Sequence, residues 1–251
     1  MQKCLFVLMA LLLPLCGLKA QGNEEVPLGT QLNYFKYGTG GIGLHNFGWY
    51  VGGKYGKTKS RLDDRIWELD IWRTRHPKEV RISNPSFINP RPYVLGKLND
   101  AFFLHVGYGT QRLIFDKSEK SGVEVRYQLS IGPSFALLKP IYLDILYPIS
   151  PNEPRQLTTR SERYDPNQHF ENNIYGSSRF SSGINEIKLL PGLFVKGGFI
   201  FEWGAFTEEI KILEAGLAVD IFPQGVPVMS FVPEKQFFLS FYLGFHLGKR
   251  W

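Results

Sequence analysis

The chain has 251 residues, 15% aromatic and 21% charged, with a formal net charge of +6. That composition excludes long disorder, which needs fewer aromatics and a stronger charge imbalance. It also gives nucleic-acid binding no support, because the excess positive charge is small and is not gathered into a run.

The N-terminus reads as an export signal. Lys3 precedes an apolar run from Leu5 to Leu15, and Leu18-Lys19-Ala20 supplies a small residue for cleavage after Ala20. The run is too short to cross a bilayer as a helix. A lipoprotein signal cut before Cys16 is the rival reading, and it puts bulky Leu15 where a small residue is wanted. Cys4 and Cys16 are the two cysteines. The exported remainder therefore excludes a disulfide scaffold, thiol catalysis and cysteine-ligated metal. No later stretch holds about 18 consecutive apolar residues, so no spanning helix is expected. Residues 1–20 are assigned to a signal peptide, 21–40 to an N-terminal periplasmic segment and 41–251 to one β-barrel.

From residue 41 onward the hydrophobic pattern has period two, the signature of strands. Strands are predicted at 41–55, 64–75, 100–112, 122–137, 140–147, 186–203, 208–222 and 236–249. The register of 41–55 is not legible. Trp67, Leu69 and Ile71 oppose Glu68 and Asp70; Leu213, Leu217 and Ile221 oppose Glu214 and Asp220. The last strand is the cleanest: Phe237, Leu239, Phe241, Leu243, Phe245 and Leu247 share one face. An even number of strands fits a closed antiparallel barrel. Tight turns are predicted at 138–140 and 204–207, on the side where the chain starts. The long connection 148–185 then lies on the opposite side, whereas 76–99, also long, falls among the tight turns.

Alternation alone leaves open whether the apolar face meets lipid or a core; a soluble lipocalin-like barrel turns it inward. The export signal, the bulky aromatic stripes and the mixture of glycine and charge opposite them favour lipid outside. Trp49, Tyr50, Trp67, Trp72, Tyr108, Tyr147 and Trp203 lie where aromatic girdles are expected. With its closing strand from Phe237 to Leu247 and terminal Trp251, the chain resembles the small outer-membrane β-barrels of Gram-negative bacteria. His76-Pro77-Lys78-Glu79, the stretch 93–99 and the stretch 117–122 resemble uncharacterised members of such sets. The resemblance implies an all-β, eight-stranded antiparallel transmembrane barrel of up-and-down meander topology. It also implies that Phe241, Leu243, Phe245, Leu247 and Trp251 are read by the barrel-assembly machinery. Lys249 and Arg250 before the last aromatic depart from that pattern.

The stripe assigned to the lumen carries Glu68, Asp70, Glu124, Asp144, Glu202, Glu214 and Asp220, with Arg126, Lys196, His105 and His246. Buried carboxylates need partners or they neutralise, so this set reads as a salt-bridge and hydrogen-bond plug. A one-residue register slip would empty it. His45, His76, His105, His169 and His246 form no metal-binding pair by spacing, so no metal, cofactor or catalytic residue is assigned. The glycines at 38–43 lack the strand–loop–helix setting of a phosphate loop. Arg155, Arg160 and Arg163 with Tyr164, Phe170 and Tyr175 make the long loop a candidate contact for lipopolysaccharide sugars. His76, Lys78, Glu79 and Arg81 are the candidate docking residues for a periplasmic or envelope protein. The reading is an outer-membrane barrel with a filled polar lumen and a structural or interaction role, perched in lipid and lipopolysaccharide. The alternatives are a lipid- or lipopolysaccharide-modifying enzyme and a narrow channel.

Overall fold

The structure is a computed structural model and describes residues 36–251, apart from 61, 86, 88–89, 118–121, 151–152 and 204–208. The signal peptide, the stretch before residue 36 and the predicted 204–207 turn lie outside the described residues. In chain order the strands are β1 (Lys36–His45), β2 (Gly48–Thr58), β3 (Asp63–Thr74), β4 (Arg81–Ile82) and β5 (Tyr93–Val94). There follow β6 (Asn99–Phe115), β7 (Val123–Pro140), β8 (Tyr142–Ser150), β9 (Glu153–Arg163) and β10 (Ile174–Ser177). The last three are β11 (Lys188–Trp203), β12 (Glu209–Val226) and β13 (Lys235–Arg250).

Eight of them, β1, β2, β3, β6, β7, β11, β12 and β13, close an antiparallel barrel in which each pairs with its neighbours in that order and β13 returns to β1. A closed ladder leaves no edge, so every strand's backbone groups find partners within the wall. The closing seam is drawn shut at its end by Trp251, whose N–H donates to the Lys36 carbonyl at 3.0 Å while the Lys36 N–H donates back at 3.2 Å.

The predicted strand inventory needs two corrections that cancel in number. The stretch 41–55 is not one strand but parts of two, β1 and β2, joined by a tight turn at Asn46-Phe47. The barrel accordingly begins at Lys36 rather than at residue 41. Glycine-rich strands show little alternation, which hid the hairpin. The stretch 140–147 is a strand, β8, but it stands outside the barrel in a three-stranded sheet of order β10-β8-β9. The predicted turn at 138–140 is instead the end of β7.

The extra early hairpin reverses the direction of the next strands. Connections 46–47, 75–98, 141–187 and 227–234 all fall at one end, the loop end. Connections 59–62 and 116–122 fall at the other, with Lys36 and Trp251. The stretch 76–99 therefore shares the end of 148–185 and does not lie among the short turns. The loop end is built, not trailing. Besides the β10-β8-β9 sheet it carries the β4-β5 hairpin. Tyr93, Leu143, Ile145, Tyr164 and Ile174 bury one another in a small core of their own. Backbone bonds lock the segments together: Leu98 N–H to the Val228 carbonyl at 2.9 Å, Ile141 N–H to the Leu98 carbonyl at 2.9 Å.

The barrel is apolar outside. Ile42, Leu69, Leu129, Leu193, Leu217 and Phe241 all face outward and exposed. So continuous an apolar surface is foreign to water-facing monomers. Near the short-turn end the exterior turns aromatic, with Tyr55 beside Trp251 (ring centroids 6.4 Å) and Trp67 beside Tyr108 (4.9 Å). Three of the predicted girdle residues stand elsewhere. Tyr50 and Trp72 are inside, each 1% exposed and stacked at 4.7 Å, because Trp49 and Ile71 take the outward positions beside them. Tyr147 belongs to β8.

Candidate functional site

Period-two alternation sends every second barrel side chain into a narrow lumen that side chains fill. Glycine makes room for large ones. Gly43 and Gly244 are directly paired across the β1–β13 seam, and a Cβ on either would run into the Tyr50 ring, which lies over both.

At the centre, Lys196 is fully buried. Its ammonium lies 2.7 Å from Asp70 Oδ2, 3.3 Å from Glu68 Oε2 and 3.7 Å from Glu214 Oε1. It also stands over the rings of Tyr242 (5.1 Å), Tyr50 (5.6 Å) and Trp72 (5.8 Å). Lys54 pairs with Glu214 and donates to Gln128 Oε1 at 2.8 Å. Gln128 donates to Glu68 at 3.0 Å, and Ser130 donates to the other Glu68 oxygen at 2.5 Å. Tyr242 donates to Glu214 at 2.8 Å, and His246 Nε2 lies 3.3 Å from the same carboxylate. The carboxylates are thus shared among cations and neutral donors, the condition under which charge persists in a low-dielectric interior.

Two further clusters flank this centre. His105 Nε2 and the Ser134 hydroxyl both meet Asp220 Oδ1 at 2.7 Å, with the imidazole stacked on Phe194 at 4.3 Å. A serine nucleophile needs its base on its own hydroxyl. Here Ser134 is committed to Asp220, so this Ser–Asp–His group is an anchored carboxylate and not a relay. Towards the short turns, Arg126 bonds Asp64 at 2.8 Å and pairs with Glu124. Arg250 and Lys117 hold Glu202 at 2.5 and 3.0 Å.

The structure therefore brings Glu68, Asp70, His105, Glu124, Arg126, Lys196, Glu202, Glu214, Asp220 and His246 inside the barrel. Asp144 is the correction: it sits on β8 in the loop-end sheet and takes no part in the plug. Sequence reasoning missed Lys54, Tyr50, Trp72, Tyr242 and Gln128. Lys54 and Tyr50 lie in the glycine-rich hairpin, where fixing Asn46-Phe47 as the turn would have set their register. The lumen is also less polar than its stripes suggest. Phe103, Phe222, Phe238 and Leu138 pack with Trp72 and Tyr242 into an apolar layer between the ionic centre and the loop end. Phe194 and Phe238 are likewise inward-facing and buried.

The four docking candidates separate. Glu79 and Arg81 line a cavity at the loop end. His76 faces Val228, Met229 and Lys235 instead; burial and the ammonium groups of Lys235 and Lys78 hold its imidazole below the ordinary pKa. Lys78 is exposed, its N–H donating to His76 Nδ1 at 3.2 Å. In the long loop, Arg160 covers the Tyr147 ring at 5.4 Å and Arg163 lies 3.7 Å from Glu186. Among the described residues no group of three His, Cys, Asp or Glu side chains is disposed to hold a metal ion.

A meander barrel closed on itself, apolar outside and ionic within, is a β-barrel of the transmembrane class. No family model matches the chain, and no curated protein matches it in sequence. Among solved structures it is similar to Neisserial surface protein A, at 12% identity and a TM-score of 0.38 over 86% of this chain and 95% of that one. It is also similar to the N-terminal β-barrel domain of Pseudomonas aeruginosa OprF, at 8% identity and a TM-score of 0.35 over 87% of this chain and 98% of that one. Likenesses this distant carry no argument about function.

Proposed function

We propose that this protein is an outer-membrane barrel that does not conduct and acts as an anchor, displaying its folded loop end as an interaction surface. The observation that carries this reading is the filled lumen: Lys196, Glu68, Asp70 and Glu214 meet across the barrel axis, and an aromatic layer lies above them. The loop end faces outward, in contact with lipopolysaccharide or an envelope partner, and the short turns and both barrel termini face the periplasm, the asymmetry usual in outer-membrane barrels. The apolar face of β13, with Phe241, Leu243, Phe245, Leu247 and terminal Trp251, is what the barrel-assembly machinery engages. The role is structural or interactive rather than enzymatic; the Ser134–Asp220–His105 group is sealed in the wall's interior.

Two measurements on the same preparation test this. Membrane-fractionated protein is expected to change its gel mobility on boiling, the mark of a closed barrel, and to show no stable conductance steps in planar bilayers. Steady ohmic conductance would make it a channel. A soluble band with no mobility change would turn the apolar face to a partner other than lipid.

A further inference from the structure

The loop end contains a cavity of about 610 Å³ between the β3–β4 connection, the end of β7 and the β8–β10 sheet. Six cations line it: Arg73, Arg75, Arg81, Lys97, Lys139 and Arg179. Among the described residues two carboxylates, Glu79 and Asp100, stand against them, and Lys97 occupies both, each at 2.7 Å. Arg73 reaches Asp100 only at 3.6 Å, and its buried Nε has no hydrogen-bond partner. Lys139 is buried at 5% exposure, and among the described residues no carboxylate lies within ion-pair distance of it; its ammonium meets the Pro140 carbonyl at 3.5 Å and the Phe180 ring at 4.8 Å. Arg75, Arg81 and Arg179 are exposed at the cavity's edge and make no ion pair among the described residues.

Burying a cation without a counter-charge is costly. The protein holds Lys139 in that condition, and leaves the Arg73 Nε without a hydrogen-bond partner beside one long contact to Asp100, inside a concave space rimmed by three further guanidinium groups. Guanidinium forks match oxyanions bidentately, and lysine meets them as a point charge. Tyr93, Tyr142 and Phe180 give the same cavity an apolar wall. We infer that the cavity is a binding site for a phosphate-bearing polyanion, with Lys139 and Arg73 at its floor and Arg75, Arg81 and Arg179 closing over it. The inference deepens the reading of this end as an interaction surface by naming the chemistry that would be recognised. Binding in detergent tests it apart from conductance or orientation, so the two can fail separately. The phosphate could be that of a soluble metabolite or of a lipid headgroup.

The test is calorimetric titration of the full chain in detergent with pyrophosphate, and of the chain in neutral-phospholipid nanodiscs with and without lipid A. Saturable pyrophosphate binding that weakens with added salt assigns the site to free phosphates as well as headgroups. Competition of pyrophosphate by lipid A, or a lipid A-dependent thermal shift without pyrophosphate binding, assigns it to headgroups. In either case Arg81→Gln combined with Arg179→Gln is expected to weaken binding roughly tenfold or more, two charge-assisted contacts being lost. Both side chains are exposed, so the heat-dependent gel shift should persist and certify the fold; Lys139→Gln is the second variant. No response to either ligand, or equal binding by the double variant, overturns the inference.

Discussion

Lys196 has no water-facing surface and holds three carboxylates and three rings at once. Its value to stability is not the sum of those contacts, since desolvation offsets much of what a buried ion pair gains. Removing one partner is another matter, because the carboxylates left behind remain buried. Lys196→Met is expected to lower unfolding stability by about 3–5 kcal/mol, read from urea unfolding in detergent or vesicles. Adding Asp70→Asn should return part of that loss, as the stranded charge then disappears. A double variant no better than the single would mean the loss comes from packing. Gly107 shows how tight the surroundings are: a Cβ there would lie 2.7 Å from Glu68 Cγ and 2.8 Å from Phe194 Cζ.

At the scale of a strand, β12 and β13 state the fold's two-sidedness most plainly. Leu213, Leu217 and Ile221 point out while Glu214, Ala218 and Asp220 point in, and Leu217 stands opposite Phe241 in the ladder. If hydrocarbon covers that face, Leu217→Arg costs about 2–4 kcal/mol near the bilayer midplane. On a water-facing wall the same substitution would stay within about 0.5 kcal/mol. Folding equilibria in lipid vesicles separate the two values, and the smaller one would overturn the membrane assignment. The longer strands β6, β7 and β12 have 17, 18 and 18 residues, against the 9–11 or so that a tilted strand needs to cross. The surplus lets the wall stand beyond the bilayer, where β7 delivers Lys139 to the loop-end cavity.

For the whole molecule, the long connections among the described residues gather at one end with five lesser strands packed there, and both barrel termini are at the other. The orientation has a direct test, since beyond Cys16 the sequence contains no cysteine. Lys78→Cys, at the loop end, is expected to react with a membrane-impermeant maleimide on intact cells; Lys59→Cys, at the short-turn end, should react only after the envelope is opened. The reverse pattern would place the loop end in the periplasm and redirect the search for its ligand there. Both positions are exposed, so failure to label at either reports access rather than burial.

Much of this was determined by the sequence alone. Clear alternation in β3, β7, β12 and β13 settled the all-β class and put Glu68, Glu124, Glu214 and Asp220 on the faces opposite the apolar ones, because a pleated strand with one apolar face has only one register that keeps that face together. Tertiary structure decided the rest. Period two is the same in a barrel strand and in an accessory sheet, so nothing local distinguished β8, with Asp144, from a wall strand. In β1 and β2 glycine erases the alternation, which concealed the Asn46-Phe47 turn, the lumenal Lys54 and the end on which 76–99 emerges. Which carboxylate meets which cation follows from barrel closure, which sets Lys54 beside Glu214 and Lys196 beside Asp70 from strands far apart in the chain. The loop-end cations are likewise gathered from the ends of β3 and β7 and from loops on either side, and only the folded chain puts them around one cavity.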